Sequence, residues 1–198
     1  MADVESDIAF IRSAVEGGRA YARGRSADLL IWGLFVAGGY LATYAYVRHW
    51  SSVDRNWAWA FAIGVPWIYS LRRLGARLLG LGGASAARSP MAQALSMLWL
   101  GCGISLTALA IAANWNGVVR YHWYDAAVAS ILGIAYFAGS ALCNHRWMRY
   151  VAFAWWAGVF VLYGLRDSGL LLAVAAAMML AFLAGPGLVL LLSGRNGE

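Results

Sequence analysis

Two histidines and two aspartates lie near the ends of long apolar stretches, where imidazole and carboxylate groups could bind a metal ion or transfer protons. His49 and Asp54 come early in the chain, His122 and Asp125 come later, and the amide of Asn114 is predicted to lie on the same side. Histidine titrates near neutral pH and ligates metals, and carboxylates can act as general bases. We call these five residues the outer polar cluster, because they are predicted to lie together on the outer face.

The spacing of these residues favours membrane-surface side chains over a preformed active site. His49 and Asp54 are separated across the end of a predicted helix, and the chain contains neither an HExxH frame nor a GxSxG elbow. His122 and Asp125 share a helical face only if the helix already begins at His122. No ionisable residue falls near the middle of an apolar stretch, which disfavours proton-coupled transport and haem binding. We therefore expect no bound metal and no cofactor.

Six apolar stretches must position these residues, and each approaches the length of a membrane span. Of the 198 residues, 62% are hydrophobic and 12% are charged, whereas soluble domains carry about 25% charged residues. A hydrocarbon core about 30 Å thick requires roughly 20 apolar residues in a helix. The chain is therefore predicted to be an all-α polytopic membrane protein. The predicted spans are residues 29–48, 57–74, 91–113, 124–143, 147–165 and 169–192.

The distribution of arginine predicts the orientation of these spans. All fifteen basic residues are arginine, and the net charge is +6. If the N-terminus is cytoplasmic, eleven arginines lie inside and only Arg48, Arg55, Arg120 and Arg166 lie outside. The positive-inside rule then places both termini, including the tail 193–198, in the cytoplasm, and the predicted location is a bacterial inner membrane. The basic charge is assigned to topology and to lipid headgroups, so no nucleic-acid partner is expected.

Residues 1–28 precede the first span and are predicted to form an amphipathic helix at the cytoplasmic surface. Ile8, Ile11 and Val15 fall on one stripe at 100° per residue. This segment could dock on anionic lipid or on a membrane-protein partner, or it could pack beneath its own bundle. The flanking basic residues are Arg12, Arg19 and Arg23.

Aromatic residues are concentrated at the predicted outer face. Indole and phenol rings are enriched at headgroup depth, so the pattern indicates an interfacial aromatic belt. The alternative is a platform for a hydrophobic or cationic ligand. The residues concerned are Trp50, Trp57, Trp59, Trp115, Tyr121, Trp123 and Tyr124.

Two prolines fall inside predicted spans. Pro66 lies in the second span, and Pro186 lies between two glycines late in the sixth. A proline removes one backbone hydrogen bond and clashes with the preceding turn, so both are predicted to kink their helices.

These features favour a non-enzymatic membrane protein that acts through protein partners or lipids, such as an accessory or regulatory subunit. A passive channel or facilitator for a small uncharged solute is the alternative, because small and hydroxyl-bearing residues such as Gly103 and Thr107 could line a narrow pore. The same residues also suit close helix packing. A membrane enzyme built on the outer polar cluster is the third hypothesis. A homo-oligomer is compatible with the first two.

Overall fold

A computed structural model gives the fold for residues 25–78, 90–116, 122–143 and 145–195. Within these ranges every long element is a helix and no β-strand occurs, so the all-α prediction is confirmed. The elements are α1 (Ser26–Val47), α2 (Arg55–Leu78), α3 (Pro90–Asn116), α4 (His122–Cys143), α5 (Arg146–Gly164), α6 (Leu171–Met179), a π-helical segment (Leu180–Ala184) and α7 (Gly185–Arg195).

Four of the helical stretches are long and apolar enough to cross a membrane, which makes this an integral membrane protein by length and composition. They are Ser26–Val47, Gln93–Ala112, Trp123–Cys143 and Leu171–Ser193. The last of these runs from α6 through the π-helical segment into α7. The helices α2 and α5 also match predicted spans and have 24 and 19 residues, but they are less apolar.

The predicted N-terminal amphipathic helix lies almost entirely outside the residues that the structure describes. Description begins at Arg25, directly before α1. The stripe of Ile8, Ile11 and Val15 and the flanking arginines Arg12, Arg19 and Arg23 all precede it. Their arrangement therefore stays a prediction from the sequence.

The helices α4 and α5 form a tightly packed antiparallel pair because small residues let their axes approach. A Cβ atom at Gly139 would lie 3.0 Å from the terminal methyl group of Met148, and Gly133 lies against the indole of Trp156. Small residues at such contacts are the usual basis of close packing between membrane helices. Tyr136 of α4 and Trp155 of α5 are both fully buried in the resulting core.

The helix α1 packs against the last helical stretch through direct contact between backbones. A Cβ atom at Gly33 would collide with the backbone of Ala184. A Cβ atom at Gly187 would lie 2.6 Å from the amide nitrogen of Leu30 and 2.8 Å from the carbonyl oxygen of Ser26. Both glycines are therefore required by space, and they fix how α1 and the last helical stretch lie against each other.

The two prolines have different surroundings. Ahead of Pro186 the chain changes from α- to π-helical geometry, and the N–H of Gly185 donates to the carbonyl oxygen of Leu180, five residues earlier. Proline has no N–H for the regular α-helical bond, which makes such local changes of helix type common near it. In contrast, α2 continues through Pro66 as an α-helix, and Pro66 is fully buried.

Among the four membrane-length helical stretches, α3 is the least buried by the rest of the protein. Only 6% of its apolar window is buried, against 56% for α4. It packs on α4, and its Leu95 side chain reaches the core. On the other side, α3 is joined to α2 by a hydrogen bond of 3.0 Å from Trp67 Nε1 to Thr107 Oγ1. Trp67 and Thr107 both line a cavity next to this hydrogen bond.

Candidate functional site

A cavity lies inside the bundle between α1, α2, α3 and α4, with part of the last helical stretch at its back. Its volume is about 130 Å³. Small-molecule sites in proteins are mostly apolar and are commonly larger, at about 300–1,000 Å³. We call it the aromatic cavity, because four indole rings line it together with aliphatic side chains. The indoles belong to Trp32, Trp59, Trp67 and Trp99.

Two of these indoles have their polar N–H groups bonded to hydroxyl groups of neighbouring helices. Trp32 Nε1 donates to Ser70 Oγ over 3.2 Å, and Trp67 Nε1 donates to Thr107 Oγ1 over 3.0 Å. The Thr107 hydroxyl in turn donates to the carbonyl oxygen of Gly103. The rings of Trp32 and Trp67 meet edge to face, with 5.8 Å between centroids. These bonds leave the cavity with a mainly hydrophobic wall.

One end of the aromatic cavity carries a buried carboxylate between two guanidinium groups. Arg73 Nη1 lies 2.9 Å from Asp28 Oδ2, and Arg25 Nε lies 4.0 Å from the same oxygen. Asp28 is only 7% exposed. The guanidinium of Arg25 also lies over the ring of Trp99, 5.9 Å from its centroid. The other carboxylate oxygen, Oδ1, is buried and accepts no hydrogen bond from the described residues.

The opposite end is closed by a hydrogen bond between α1 and α4. Tyr40 donates its hydroxyl proton to Asp125 Oδ1 over 2.6 Å, and the two residues are 3% and 5% exposed. The Tyr40 ring also meets Trp59 edge to face at 5.0 Å between centroids. From Asp28 to Tyr40 the chain rises about 18 Å at 1.5 Å per residue. The aromatic cavity is thus an apolar space bounded by polar groups at both ends.

The structure gives two members of the outer polar cluster local roles at helix ends. His49 has a φ of 59°, and its N–H donates to the carbonyl oxygen of Tyr46, while Trp50 N–H donates to Ala45. This pair of bonds is the Schellman arrangement that ends a helix with a left-handed residue. Asp54 Oδ1 accepts a bond of 2.7 Å from the N–H of Asn56, which makes Asp54 the N-cap of α2.

The other members of the cluster are placed differently. Asp125 is turned into the bundle towards Tyr40. Asn114 belongs to the last turn of α3 and His122 is the first residue of α4, but their side chains lie outside the described part of the structure. In the described ranges, no group of three or more His, Cys, Asp or Glu side chains is arranged to hold a metal ion.

The aromatic residues assigned to the outer face divide into two groups. Trp50, Trp57 and Trp123 are 73%, 76% and 66% exposed, as side chains at a lipid–water boundary would be. Trp59 and Tyr124 instead line the aromatic cavity. Trp115 and Tyr121 lie outside the described side chains. The position of a residue in the sequence alone therefore did not separate exposed aromatic rings from rings that face the interior.

The charged pair at the cavity end was also missed by sequence reasoning. Neither Asp28 nor Arg73 was predicted to take part in an ion pair. An available signal was that opposite charges begin one span and end the next, since consecutive spans pack antiparallel. Comparison with protein-family models, with curated proteins and with solved structures finds no match.

Proposed function

We propose that this chain is a non-enzymatic six-span membrane protein that acts through membrane lipids, by holding a lipid-derived molecule in the aromatic cavity. The observation that carries the proposal is a wall of four indoles between polar pairs at the two ends. An apolar body would lie against the rings, and a polar group would lie at one end. This develops the accessory or regulatory role that the sequence favours.

The lengths and packing of α2 and α5 support six spans. With 24 and 19 residues they extend about 36 Å and about 28 Å, and each packs beside a neighbour of spanning length. Together with the arginine asymmetry, six spans place both termini in the cytoplasm, and we propose a bacterial inner membrane. The Asp28 end of the aromatic cavity then faces the cytoplasmic leaflet, and the Tyr40 end faces outward.

The low burial of α3 supports entry of the ligand from the bilayer. Only 6% of the apolar window of Gln93–Ala112 is buried, so most of this helix is available to face lipid. The side chains of Trp67 and Thr107 join α2 and α3 across the aromatic cavity. A molecule moving sideways from the membrane between these helices would reach the indole wall without crossing water.

The same contacts make a solute channel the weaker proposal. A narrow pore for an uncharged solute needs free hydroxyl or carbonyl groups along its length. Ser70 and Thr107 accept bonds from indole N–H groups, and the Tyr40 hydroxyl is bonded to Asp125. These bonds favour a site with apolar walls over a hydrated path.

A pair of glycine substitutions on α3 tests the proposal. Gly103 lines the aromatic cavity, and a Cβ atom there would lie 3.7 Å from the Trp67 ring. Gly101 is exposed, and a Cβ atom there would meet nothing within 4 Å. Native mass spectrometry of protein purified in mild detergent should show a retained lipid in the unaltered chain and in Gly101→Leu, but not in Gly103→Leu.

Equal lipid retention by both variants would contradict the proposal. Flux of an uncharged solute into proteoliposomes, blocked by Gly103→Leu and not by Gly101→Leu, would establish the channel instead.

A further inference from the structure

We infer that a groove on the outer surface of the α1–α2 pair binds the hydrocarbon chain of a bilayer phospholipid. The groove has a volume of about 490 Å³ and shares no lining residue with the aromatic cavity. This inference therefore goes beyond the proposed function. We call the site the α1–α2 groove. Its lining is apolar and includes Leu34, Phe35, Gly38, Val53, Trp57 and Phe61.

The floor of the α1–α2 groove consists of small residues where the two helices touch. A Cβ atom at Gly39 would lie 2.9 Å from the Cβ atom of Ala62, so α1 and α2 are in direct contact there. A Cβ atom at the neighbouring Gly38 would meet nothing within 4 Å, so the described residues leave the space beside Gly38 open. The small residues thus produce a depression between two packed helices.

The groove follows one half of α1, which matches the depth of one bilayer leaflet. Its deep end lies at Phe35, near the middle of α1, where the rings of Phe35 and Phe61 meet with 5.7 Å between centroids. Its shallow end lies at Val53, in the connector before α2. From Phe35 to Val47 the helix rises about 18 Å, and one leaflet contributes about 15 Å of hydrocarbon. A lipid chain that starts at the connector therefore fits the length of the groove.

The walls of the groove are exposed, as side chains that contact lipid would be. Leu34 is 49% exposed, Phe61 is 66% exposed and Trp57 is 76% exposed. Since α1 is one of the membrane-length stretches, the medium beside these apolar side chains is the bilayer. Trp57 lies in the first turn of α2, and indoles at such positions typically meet lipid headgroups. The groove thus opens sideways to hydrocarbon and has a headgroup-binding ring at its shallow end.

A phospholipid chain is the occupant that this shape favours. An unfilled space beside packed rings lacks van der Waals contacts, and the most abundant apolar groups next to the groove are lipid chains. A helix of a second copy is about 10–12 Å wide with its side chains, so only single side chains of it would enter. A polar ligand is disfavoured, because the indole N–H of Trp57 is the only polar side-chain group in the lining.

Photolabelling of the unaltered full chain in phosphatidylglycerol nanodiscs tests this inference. The nanodiscs contain a small fraction of phospholipid with a diazirine at the end of one acyl chain, and mass spectrometry of peptides locates the label. We expect label near Phe35 and Phe61 severalfold more often than near Ile104, which is 54% exposed at mid-length of α3 and lines neither site. A diazirine beside the ester group should instead label near Val53 and Trp57.

Glycine-to-leucine variants show whether the label depends on the groove. Gly38→Leu should abolish the excess label, because the new side chain occupies the open space. Gly101→Leu is the matched control, since Gly101 is exposed on α3 and a Cβ atom there also meets nothing within 4 Å. Gly103→Leu should keep the groove label, because Gly103 lines the aromatic cavity and not the groove.

The outcomes separate this inference from the proposed function. Equal labelling near Phe61 and Ile104 in the unaltered chain would overturn the inference, and this comparison does not depend on the folding of any variant. Excess label that persists in Gly38→Leu would also overturn it. A dimer in native mass spectrometry that is lost in Gly38→Leu but kept in Gly101→Leu would assign the groove to a second copy. Groove labelling as expected, with lipid retention unaffected by Gly103→Leu, would reject the proposed function alone.

Discussion

Tyr40 and Asp125 are 85 positions apart in the chain, yet the Tyr40 hydroxyl donates a 2.6 Å hydrogen bond to a carboxylate oxygen of Asp125. This bond ties α1 to α4 at one end of the aromatic cavity. An ionisable side chain within a membrane helix is usually tolerated only when it faces the bundle interior and has polar partners. Tyr40 provides one such partner, so the pair is expected to contribute to stability as well as to the shape of the site.

Replacing Tyr40 by phenylalanine removes only the hydroxyl group, and we expect the free energy of unfolding to fall by about 1–2 kcal/mol. Tyr44→Phe is the matched control one turn later on α1, because the contacts of Tyr44 with Trp50 and Arg48 are made by its ring. Thermal unfolding in detergent solution would compare the two. Equal Tm values for both variants would show that the Tyr40–Asp125 bond has no net stabilising effect.

Glycine-to-alanine substitutions on α1 should have opposite effects depending on the face of the helix. At Gly33 the new methyl group would collide with Ala184, and we expect a loss of about 1–3 kcal/mol from overpacking. At Gly38 no atom lies within 4 Å, so alanine should be neutral or should stabilise by up to about 1 kcal/mol through helix propensity. The midpoints of thermal unfolding measure the stability of both variants. A Gly33→Ala variant more stable than the unaltered chain would contradict the backbone contact between α1 and the last helical stretch.

Replacing His49 by glycine should not destabilise the protein, because residue 49 ends α1 in the left-handed conformation. That conformation costs an L-residue roughly 1–2 kcal/mol, and glycine avoids the cost. We therefore expect His49→Gly to raise the stability by about 1 kcal/mol, whereas His49→Ala, which keeps a Cβ atom, should give no gain. Elemental analysis is the accompanying measurement. A stoichiometric metal lost in His49→Gly would revive the enzyme hypothesis for the outer face.

Reporter fusions can separate six spans from a topology in which only the four most apolar helices cross. Six spans place Ser85, between α2 and α3, and Asn144, between α4 and α5, in the cytoplasm. Four spans place both positions outside, while Asp54 is external and Glu198 cytoplasmic in either case. We expect cytoplasmic signals at Ser85 and Asn144. An external signal at Ser85 would mean that α2 does not cross the membrane.

The positions of the helices along the chain could be predicted from the sequence because long apolar runs are a strong signal. The run beginning at Leu29 lies in α1, and the run ending at Cys143 ends with α4. Charged and turn residues between runs marked the connectors, including the brief one between α4 and α5. Those assignments depend on composition over about 20 residues, so single exceptions matter little.

The rotation of each helix about its axis could not be predicted, and this is why the aromatic cavity was missed. Lipid and protein interior are both apolar, so α1 and α3 show no contrast between their faces of the kind that orients a helix in a soluble protein. Trp59 lies near the start of α2, as its position in the chain indicates, but its ring faces inward. Asp125 likewise lies in the first turn of α4 and faces inward to Tyr40.

The π-helical segment Leu180–Ala184 has a consequence for how related chains should be aligned. A π-turn holds one residue more than an α-turn, so the segment acts as a one-residue insertion within the last helical stretch. Deleting one residue there would let the stretch continue as a regular α-helix, because the wider turn would no longer have an extra residue to hold. The residues beyond it would keep their faces, and Gly187 would stay against the backbone of Leu30. A homologue that is one residue shorter in this segment would therefore pack on the same surface of α1.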